Sequence, residues 1–543
     1  MLFKSLLSTA IAAAGFISSA SAADLPAIEI SGNKFFYSNN GTQFLIKGVA
    51  YQQNPTNLTA DESFVDPLAD GEACKRDVPL LAALDTNVIR VYALNTSQDH
   101  TTCMNLLQDA GIYVIADLSE PDLSINRDSP EWNLDLYDRY TSVVDLFHNY
   151  TNILGFFAGN EVTNDKTNTD ASAFVKAAVR DTKAYIKAKG YRSIPVGYSA
   201  NDDTDIRVDL VDYFACGSEE DRADFFGINM YEWCGSSSYT LSGYSTISKQ
   251  YQNAGIPLFF SEYGCNKVTP RQFQEVGTIY GPDMLNIWSG GIVYMYFQEE
   301  NDYGLVTVDG KSVSTLADYT NLKSQLAKIS PSLATSTASV SASVTSCPTG
   351  GSGWAASTNL PPTPDQEICD CMQSSLDCIV NSKISSDDYQ DLFAYVCDQV
   401  SCEGITGNGT TGDYGSYSPC SNKARLDFVL NLYYNENGGG ASNCDFSGSA
   451  TLQQAATASS CNAILKSAGT SGLGTVSGHV QTTGSDATTT GSSGSKSSSG
   501  SQSSGTSSSS KKNAGVQQAG LNSFTKVMWG AISMVLGAGF VFM

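Results

Sequence analysis

An eight-stranded parallel (β/α)8 barrel, the TIM-barrel α/β class, is the fold this chain predicts, followed by a small, disulfide-rich, mainly helical module. Three observations lead there. Between residues 23 and 329, eight short apolar runs recur, near-continuous rather than alternating, as parallel strands covered on both faces are. Helical segments separate several of them, and about 300 residues is a usual length for eight β/α units. A doubly wound open sheet is the alternative, weakened because no glycine-rich phosphate loop follows the first run.

In chain order the runs are 43–51 (QFLIKGVAY), 87–94 (NVIRVYAL), 112–118 (IYVIADL), 153–161 (ILGFFAGNE), 194–201 (IPVGYSAN), 225–233 (FFGINMYEW), 256–264 (IPLFFSEYG) and 291–299 (GIVYMYFQE). Helices are expected over 136–150 and 170–190, the second stopping at Gly190. Beyond the barrel, 330–346 is a Ser/Thr/Ala linker with nothing to bury, 347–468 is the cysteine-dense module, and 469–512 is a Gly/Ser/Thr-rich stalk that cannot form a core.

The ends of the chain give an address. Residues 1–22 run from Lys4 through an apolar stretch to Ala20-Ser21-Ala22, the pattern of a cleaved secretory leader. Residues 513–543 begin with the small residues Asn513-Ala514-Gly515, continue through a mostly polar spacer and end in an apolar tail. That order predicts a glycolipid (GPI) anchor attached at Asn513; an ordinary transmembrane span is less favoured because no basic cluster follows. The chain is therefore expected on the outer face of the plasma membrane and in the wall beyond it.

Composition suits that address. Fourteen cysteines, a formal net charge of −24 and sequons at Asn40, Asn57, Asn95, Asn149 and Asn408 describe an oxidised, glycosylated, acidic protein. Nucleic acid is an unfavourable partner for so acidic a surface. The three histidines, His100, His148 and His479, show no metal-ligand spacing, so neither a metal nor another cofactor is expected. No Gly-x-Ser-x-Gly elbow follows a strand, which disfavours a serine hydrolase.

Cysteine parity constrains the architecture. The barrel region holds five cysteines and the module nine, so full pairing requires a bridge between them. Proximity makes Cys74–Cys103 and Cys234–Cys265 the expected local pairs and leaves Cys347, just past the linker, as the expected partner for a leftover such as Cys216.

The chemistry centres on Glu161 and Glu262, each at the C-terminal tip of an apolar run, the fourth and the seventh. Barrel enzymes place their reacting groups there, and unpaired carboxylates at the ends of apolar strands are costly without a purpose. Glycoside chemistry needs such a pair: one carboxyl protonates the leaving oxygen while the other attacks the anomeric carbon or activates water. Adjacent carboxylates resist charging together, and the expectation is that Glu161 keeps the proton. Tyr92, Tyr231, Tyr294 and Tyr303, at or just past strand tips, suit stacking on sugar rings. Gln52, Asp117 and Asn160 are candidates for binding sugar hydroxyls or orienting Glu161.

Asn160-Glu161 at the fourth strand with Glu262 at the seventh resembles the large clan of retaining glycosidases built on this barrel. FFAGNEVTN (156–164), GINMYEWCG (227–235), FFSEYGCN (259–266) and GGIVYMYF (290–297), with the cysteine module and anchor signal, are similar to the fungal Gas/Gel/Phr family of cell-wall β-1,3-glucanosyltransferases. The resemblance implies Glu161 as acid/base, Glu262 as nucleophile and Tyr231 bonded to it. It implies β-1,3-glucan chains as donor and acceptor, and action as a monomer. YGSYSPC (414–420), LDFVLNLYY (426–434) and CDFSGSA (444–450) resemble a carbohydrate-binding module found in one branch of that family. Its implied bridges are Cys369–Cys420, Cys371–Cys461, Cys378–Cys444 and Cys397–Cys402. Tyr389, Tyr414 and Tyr434 are candidate glucan contacts, unless the module only braces the barrel. An endo-β-1,3-glucanase using the same glutamates is the nearest rival function, and a non-catalytic wall scaffold is a rival of another class.

Overall fold

The computed structural model describes residues 25–53, 63–335, 346–348, 350–351 and 353–482. The leader, the Asn57 sequon, most of the linker, the stalk beyond residue 482 and the Asn513 anchor signal lie outside the described residues.

Eight parallel strands close into a barrel: β1 (Ile46–Ala50), β2 (Val88–Val91), β3 (Tyr113–Asp117), β4 (Ile153–Asn160), β5 (Val196–Asn201), β6 (Phe226–Met230), β7 (Leu258–Tyr263) and β8 (Trp288–Val293). Each pairs with its sequence neighbour, and β8 returns to β1 through Gly290↔Ile46 to Val293↔Val49. Each strand falls within or overlaps one of the eight apolar runs. The last is displaced: β8 begins at Trp288, and 294–299 leave the barrel as a loop. Ser289-Gly290-Gly291 hides the start of the strand in the sequence, yet small residues are required there. Gly290 has φ +100°, and a Cβ on it would lie 2.1 Å from the Ile46 carbonyl oxygen.

A three-stranded antiparallel sheet, Ile28–Ser31, Lys34–Tyr37 and Gln43–Phe44, covers the N-terminal end of the barrel. Its Phe35 ring packs against Phe225 and Phe259, and Phe44 against Tyr113. With that end filled by aromatic rings, the opposite mouth is the one left for a site. Outside the strands lie helices α1 (Gly71–Ala83), α2 (Thr101–Asp109), α3 (Leu134–Phe147), α4 (Ala171–Ala188), α5 (Arg207–Ala215) and α6 (Tyr244–Tyr251). The Asp70 side chain accepts the N–H groups of Glu72 and Ala73, which fixes the start of α1. Between β7 and β8 there are only two short helical turns, Val276–Ile279 and Pro282–Leu285. Among the described residues no helix is long and apolar enough to cross a membrane.

All fourteen cysteines are bridged. Cys74–Cys103 ties α1 to α2, Cys234–Cys265 joins the loops after β6 and β7, and Cys216–Cys347 links the end of α5 to the segment that enters the module. Within the module the bridges are Cys369–Cys420, Cys371–Cys461, Cys378–Cys444 and Cys397–Cys402. They pin helices Gln366–Ser374, Tyr389–Cys397, Asn422–Glu436 and Cys461–Ala468 around a core that includes Leu426, Val429 and Leu430.

The module packs directly on the outer face of the barrel. Arg425 grips Glu131 with two nitrogens, at 2.8 and 2.6 Å, and the Leu134 N–H donates to the Pro419 carbonyl. Tyr414 packs edge-on against Phe174 of α4 and donates to the Asn359 carbonyl. That places Tyr414 in the seam, half-buried, where it braces the module against the barrel. Tyr389 and Tyr434 are half-buried against the module core. Of the sequons, Asn40, Asn149 and Asn408 are exposed and Asn95 is half-buried.

Candidate active site

Glu161 follows β4 immediately, in the left-handed region with φ +50°. A non-glycine residue holds that conformation only where its surroundings fix it, and three contacts do so. Its N–H donates to the Ser199 carbonyl at 2.8 Å, and its own carbonyl accepts from Arg127 Nη2 at 2.6 Å. Its side-chain Oε1 accepts from Asn229 Nδ2 at 2.7 Å.

Glu262 lies within β7, one residue short of its end, rather than past it. The strand's register shifts between Phe260 and Glu262 where it pairs with β6, the kind of irregularity that re-aims a side chain beside a site. The carboxylate is buried and receives three donors. Tyr92 Oη donates to Oε1 at 2.9 Å, Tyr231 Oη donates to Oε2 at 2.8 Å, and Arg90 Nη1 lies 3.3 Å from Oε1. Burial pushes the Glu262 carboxyl up from its ordinary 4.5 to about 7; Arg90 is the largest opposing pull, and the nearby charge of Glu161 adds to the rise. Sequence reasoning assigned the tighter-held proton to Glu161, whereas in the structure the burial-driven upward shift falls on Glu262.

A single cation lies on the polar path between the two carboxylates. Arg90, at the centre of β2, is fully buried between the rings of Tyr92 and Phe157, 4.3 and 4.5 Å from their centroids. Its Nη2 donates to Asp117 at 3.0 Å and to Asn160 Oδ1 at 3.0 Å, and Nε reaches the other Asp117 oxygen at 3.2 Å. Burial disfavours the Arg90 cation, but Asp117, Tyr92 and Glu262 more than offset it and hold the guanidinium charged. Asn229 Nδ2 also reaches Asn160 Oδ1, at 3.2 Å, so a chain of polar contacts runs from Glu262 through Arg90, Asn160 and Asn229 to Glu161. Ser261 Oγ donates to Asn229 Oδ1 at 2.9 Å and fixes which way that amide faces.

The four tyrosines named from the sequence gather around Glu262. Tyr92 meets Tyr294 edge-on at 6.4 Å between centroids, Tyr294 meets Tyr303 at 5.3 Å, and Tyr303 meets Tyr231 at 5.8 Å. Tyr92, Tyr231 and Tyr294 are half-buried and Tyr303 is buried. Two other candidates take scaffold positions instead. Gln52 Oε1 accepts the N–H groups of Tyr92 and Ala93 while its Nε2 donates to Val65, so its amide braces the loop after β2. Asp117 is buried and committed to Arg90.

Arg90, Arg127, Ser199, Asn229 and Ser261 were not singled out from the sequence. A signal existed for two: Arg90 is the lone charge in VIRV, and Asn229 is the lone polar residue in GINM. A buried charge or amide at such a position needs a partner across the barrel. Among the described residues no cluster of acids, histidines and cysteines could hold a metal ion.

A buried carboxylate fed by two phenols and a guanidinium, with a second carboxylate held across the same polar chain, is suited to attack at an anomeric carbon with proton transfer from the opposite side. The family profile described as Glucanosyltransferase matches residues 17–330, and that described as X8 domain matches 376–451. The chain belongs to the glucanosyltransferase family. It is 67% identical over 491 residues to Protein EPD1 of Candida maltosa, covering 90% of this chain and 89% of that one. It is 50% identical over 479 residues to 1,3-beta-glucanosyltransferase gas1 of Schizosaccharomyces pombe, covering 87% of each. Among solved structures, Saccharomyces cerevisiae Gas2p in complex with laminaritetraose and laminaripentaose superposes with a TM-score of 0.74 at 44% identity, covering 82% of this chain and 98% of that one. This enzyme thus has the barrel of the glucanosyltransferase family followed by an X8 module.

Proposed function

We propose that this enzyme is a β-1,3-glucanosyltransferase: it cuts a β-1,3-glucan chain internally and joins the new reducing end to the non-reducing end of another chain, with retention at the anomeric carbon. The observation that carries the reading is the pairing of Glu262, with a donor on each carboxylate oxygen, and Glu161, linked to it through Arg90, Asn160 and Asn229. The Gas2p complex with laminari-oligosaccharides supports the choice of glucan.

In the proposed cycle the productive arrangement has the proton on Glu161 and Glu262 ionised. Asn229 occupies Oε1 of Glu161, which leaves Oε2 to carry that proton to the leaving oxygen. A Glu262 oxygen bonds to the anomeric carbon, the glycosidic C–O bond breaks, and the departing chain leaves with the proton. The two phenols and Arg90 hold the carboxylate in place for that attack. Once esterified, Glu262 no longer carries charge, so Glu161 can accept the proton of an incoming 3-hydroxyl. That oxygen bonds to the anomeric carbon, the ester to Glu262 breaks, and the second inversion restores the original configuration.

Transfer requires that a sugar hydroxyl reach the ester before water does. Tyr294 and Tyr303, beside Glu262, are the proposed wall for that sugar, and Asn160, whose carbonyl oxygen is already taken by Arg90 and Asn229, has its NH2 to offer a hydroxyl. We expect the protein to work as a monomer at the outer membrane face, delivered by the leader and held by the anchor at Asn513. Incubating the purified protein with a laminari-oligosaccharide of defined length and weighing the products tests the reading. Chains longer than the donor are expected, and a mixture of shorter chains alone would make it a glucanase.

A further inference from the structure

One buried arginine outside the catalytic pair holds the backbone of three site loops. Arg271 lies on the loop after β7 and is 2% exposed. Its Nη1 donates to the carbonyls of Gly264, at 3.1 Å, and Tyr294, at 2.6 Å, and its Nη2 donates to the carbonyl of Tyr303 at 2.6 Å. Those carbonyls belong to the exit of β7 two residues after Glu262, to the exit of β8, and to the loop that brings Tyr303 back over the mouth. The guanidinium also lies over the rings of Phe273 and Tyr303, 4.7 and 5.5 Å from their centroids.

The arginine is itself fixed. Asp318 Oδ2 accepts from Nε at 2.6 Å, and Asp318 Oδ1 accepts the Arg271 backbone N–H at 3.0 Å. Asn321 Nδ2 donates to the Arg271 carbonyl at 2.8 Å. Both residues come from the helix Ala317–Leu326 that closes the barrel region. The planar fork, its direction set by one carboxylate, serves Asp318 and the three carbonyls from nitrogens spread over one plane, whereas a lysine offers three donors from a single nitrogen and cannot span all four acceptors.

We propose that Arg271, oriented by Asp318, is a positioning residue that sets the Tyr294–Tyr303 wall against Glu262 and thereby decides whether a sugar or water resolves the glycosyl-enzyme; this rests on the transfer reading above. The selectivity has a physical basis. Water is small and abundant and needs no oriented surface to reach the ester. An acceptor sugar competes only if the wall holds its hydroxyl in line, and a displacement near 1 Å costs up to about a hundredfold in such placement. Loosening the fork therefore penalises transfer more than cleavage.

The test is the ratio of elongated to merely shortened products from a defined laminari-oligosaccharide, measured for the wild-type protein, Arg271→Lys and Asp318→Asn. A product ratio is taken per turnover, so it does not depend on how much of a variant is folded. Both variants should lower the ratio on the order of tenfold, short of the hundredfold ceiling, and the double variant should lower it little further because the two side chains act as one device. Raising the acceptor concentration should restore the ratio in the single variants. An unchanged ratio in either, or loss of all turnover in both, overturns the proposal. A wild-type protein that makes no elongated chain would instead overturn the transfer reading itself.

Discussion

Replacing Glu262 with glutamine should stabilise the protein at neutral and alkaline pH and leave its stability near pH 4 unchanged. The carboxyl's ordinary 4.5 rises to about 7 in the fold, with burial the leading cause. Between those values the folded chain holds a proton that the unfolded chain has released, so stability falls as pH rises through that window. Below 4.5 both states are protonated and nothing is lost; above about 7 both are ionised and the loss is complete. One pKa unit corresponds to about 1.4 kcal/mol, so the rise amounts to about 3 kcal/mol. Glu262→Gln keeps the shape of the side chain, is neutral at every pH and escapes that loss. Denaturant unfolding of both proteins from pH 4 to 8.5 should give superimposable stabilities at the acid end and a gap of about 3 kcal/mol in favour of the variant at the other. A gap that does not change with pH, or a variant that is the less stable at pH 8, would show that burial of Glu262 does not hold its proton. The prediction ties stability to function, since a nucleophile kept ionised in a buried site weakens the fold that carries it.

Tyr231→Phe removes one donor from the ionised form of Glu262, so its carboxyl should rise further; the acid limb of the kcat/KM profile, below which the nucleophile is protonated, should move to higher pH, with a rate loss of roughly tenfold to a thousandfold. Glu161→Gln should lower cleavage of unactivated glucan by roughly a hundredfold to ten-thousandfold. That loss should be largely recovered with a donor whose leaving group needs no proton and with azide as acceptor, read by mass spectrometry of the azide product. Removing the cross-link with Cys216→Ser and Cys347→Ser together should cost about 2–5 kcal/mol in denaturant unfolding while the far-ultraviolet circular dichroism of the barrel persists.

The barrel was legible because strands buried on both faces leave continuous apolar runs, and such runs need no partner to be recognised. Where a strand starts on Ser289-Gly290-Gly291 the apolar signal vanishes, since what selects those residues is a close approach to Ile46 rather than burial. The two glutamates stood out at strand tips for the same reason the strands did. What surrounds them was harder to read. Gln52 and Asp117 lie near strand tips as the sequence suggested, but their partners are backbone N–H groups and Arg90 on the neighbouring strand, contacts that linear spacing does not encode. Arg90 itself is the plainer lesson, a lone charge in an apolar strand whose burial demanded the carboxylates it meets. Tyr414 looked like a surface aromatic because the sequence holds no trace of Phe174 opposite it, and only the docking of the module on the barrel makes that contact.

A covalent ester on Glu262 is the step that separates double displacement from every rival mechanism. A 2-fluoro laminari-oligosaccharide carrying a good leaving group forms the glycosyl-enzyme faster than the acceptor can resolve it, so the adduct can be digested and sequenced by mass spectrometry. One added oligosaccharide per chain is expected, on the peptide containing Glu262. An adduct on Glu161, or inversion at the anomeric carbon with no adduct at all, would contradict double displacement through Glu262.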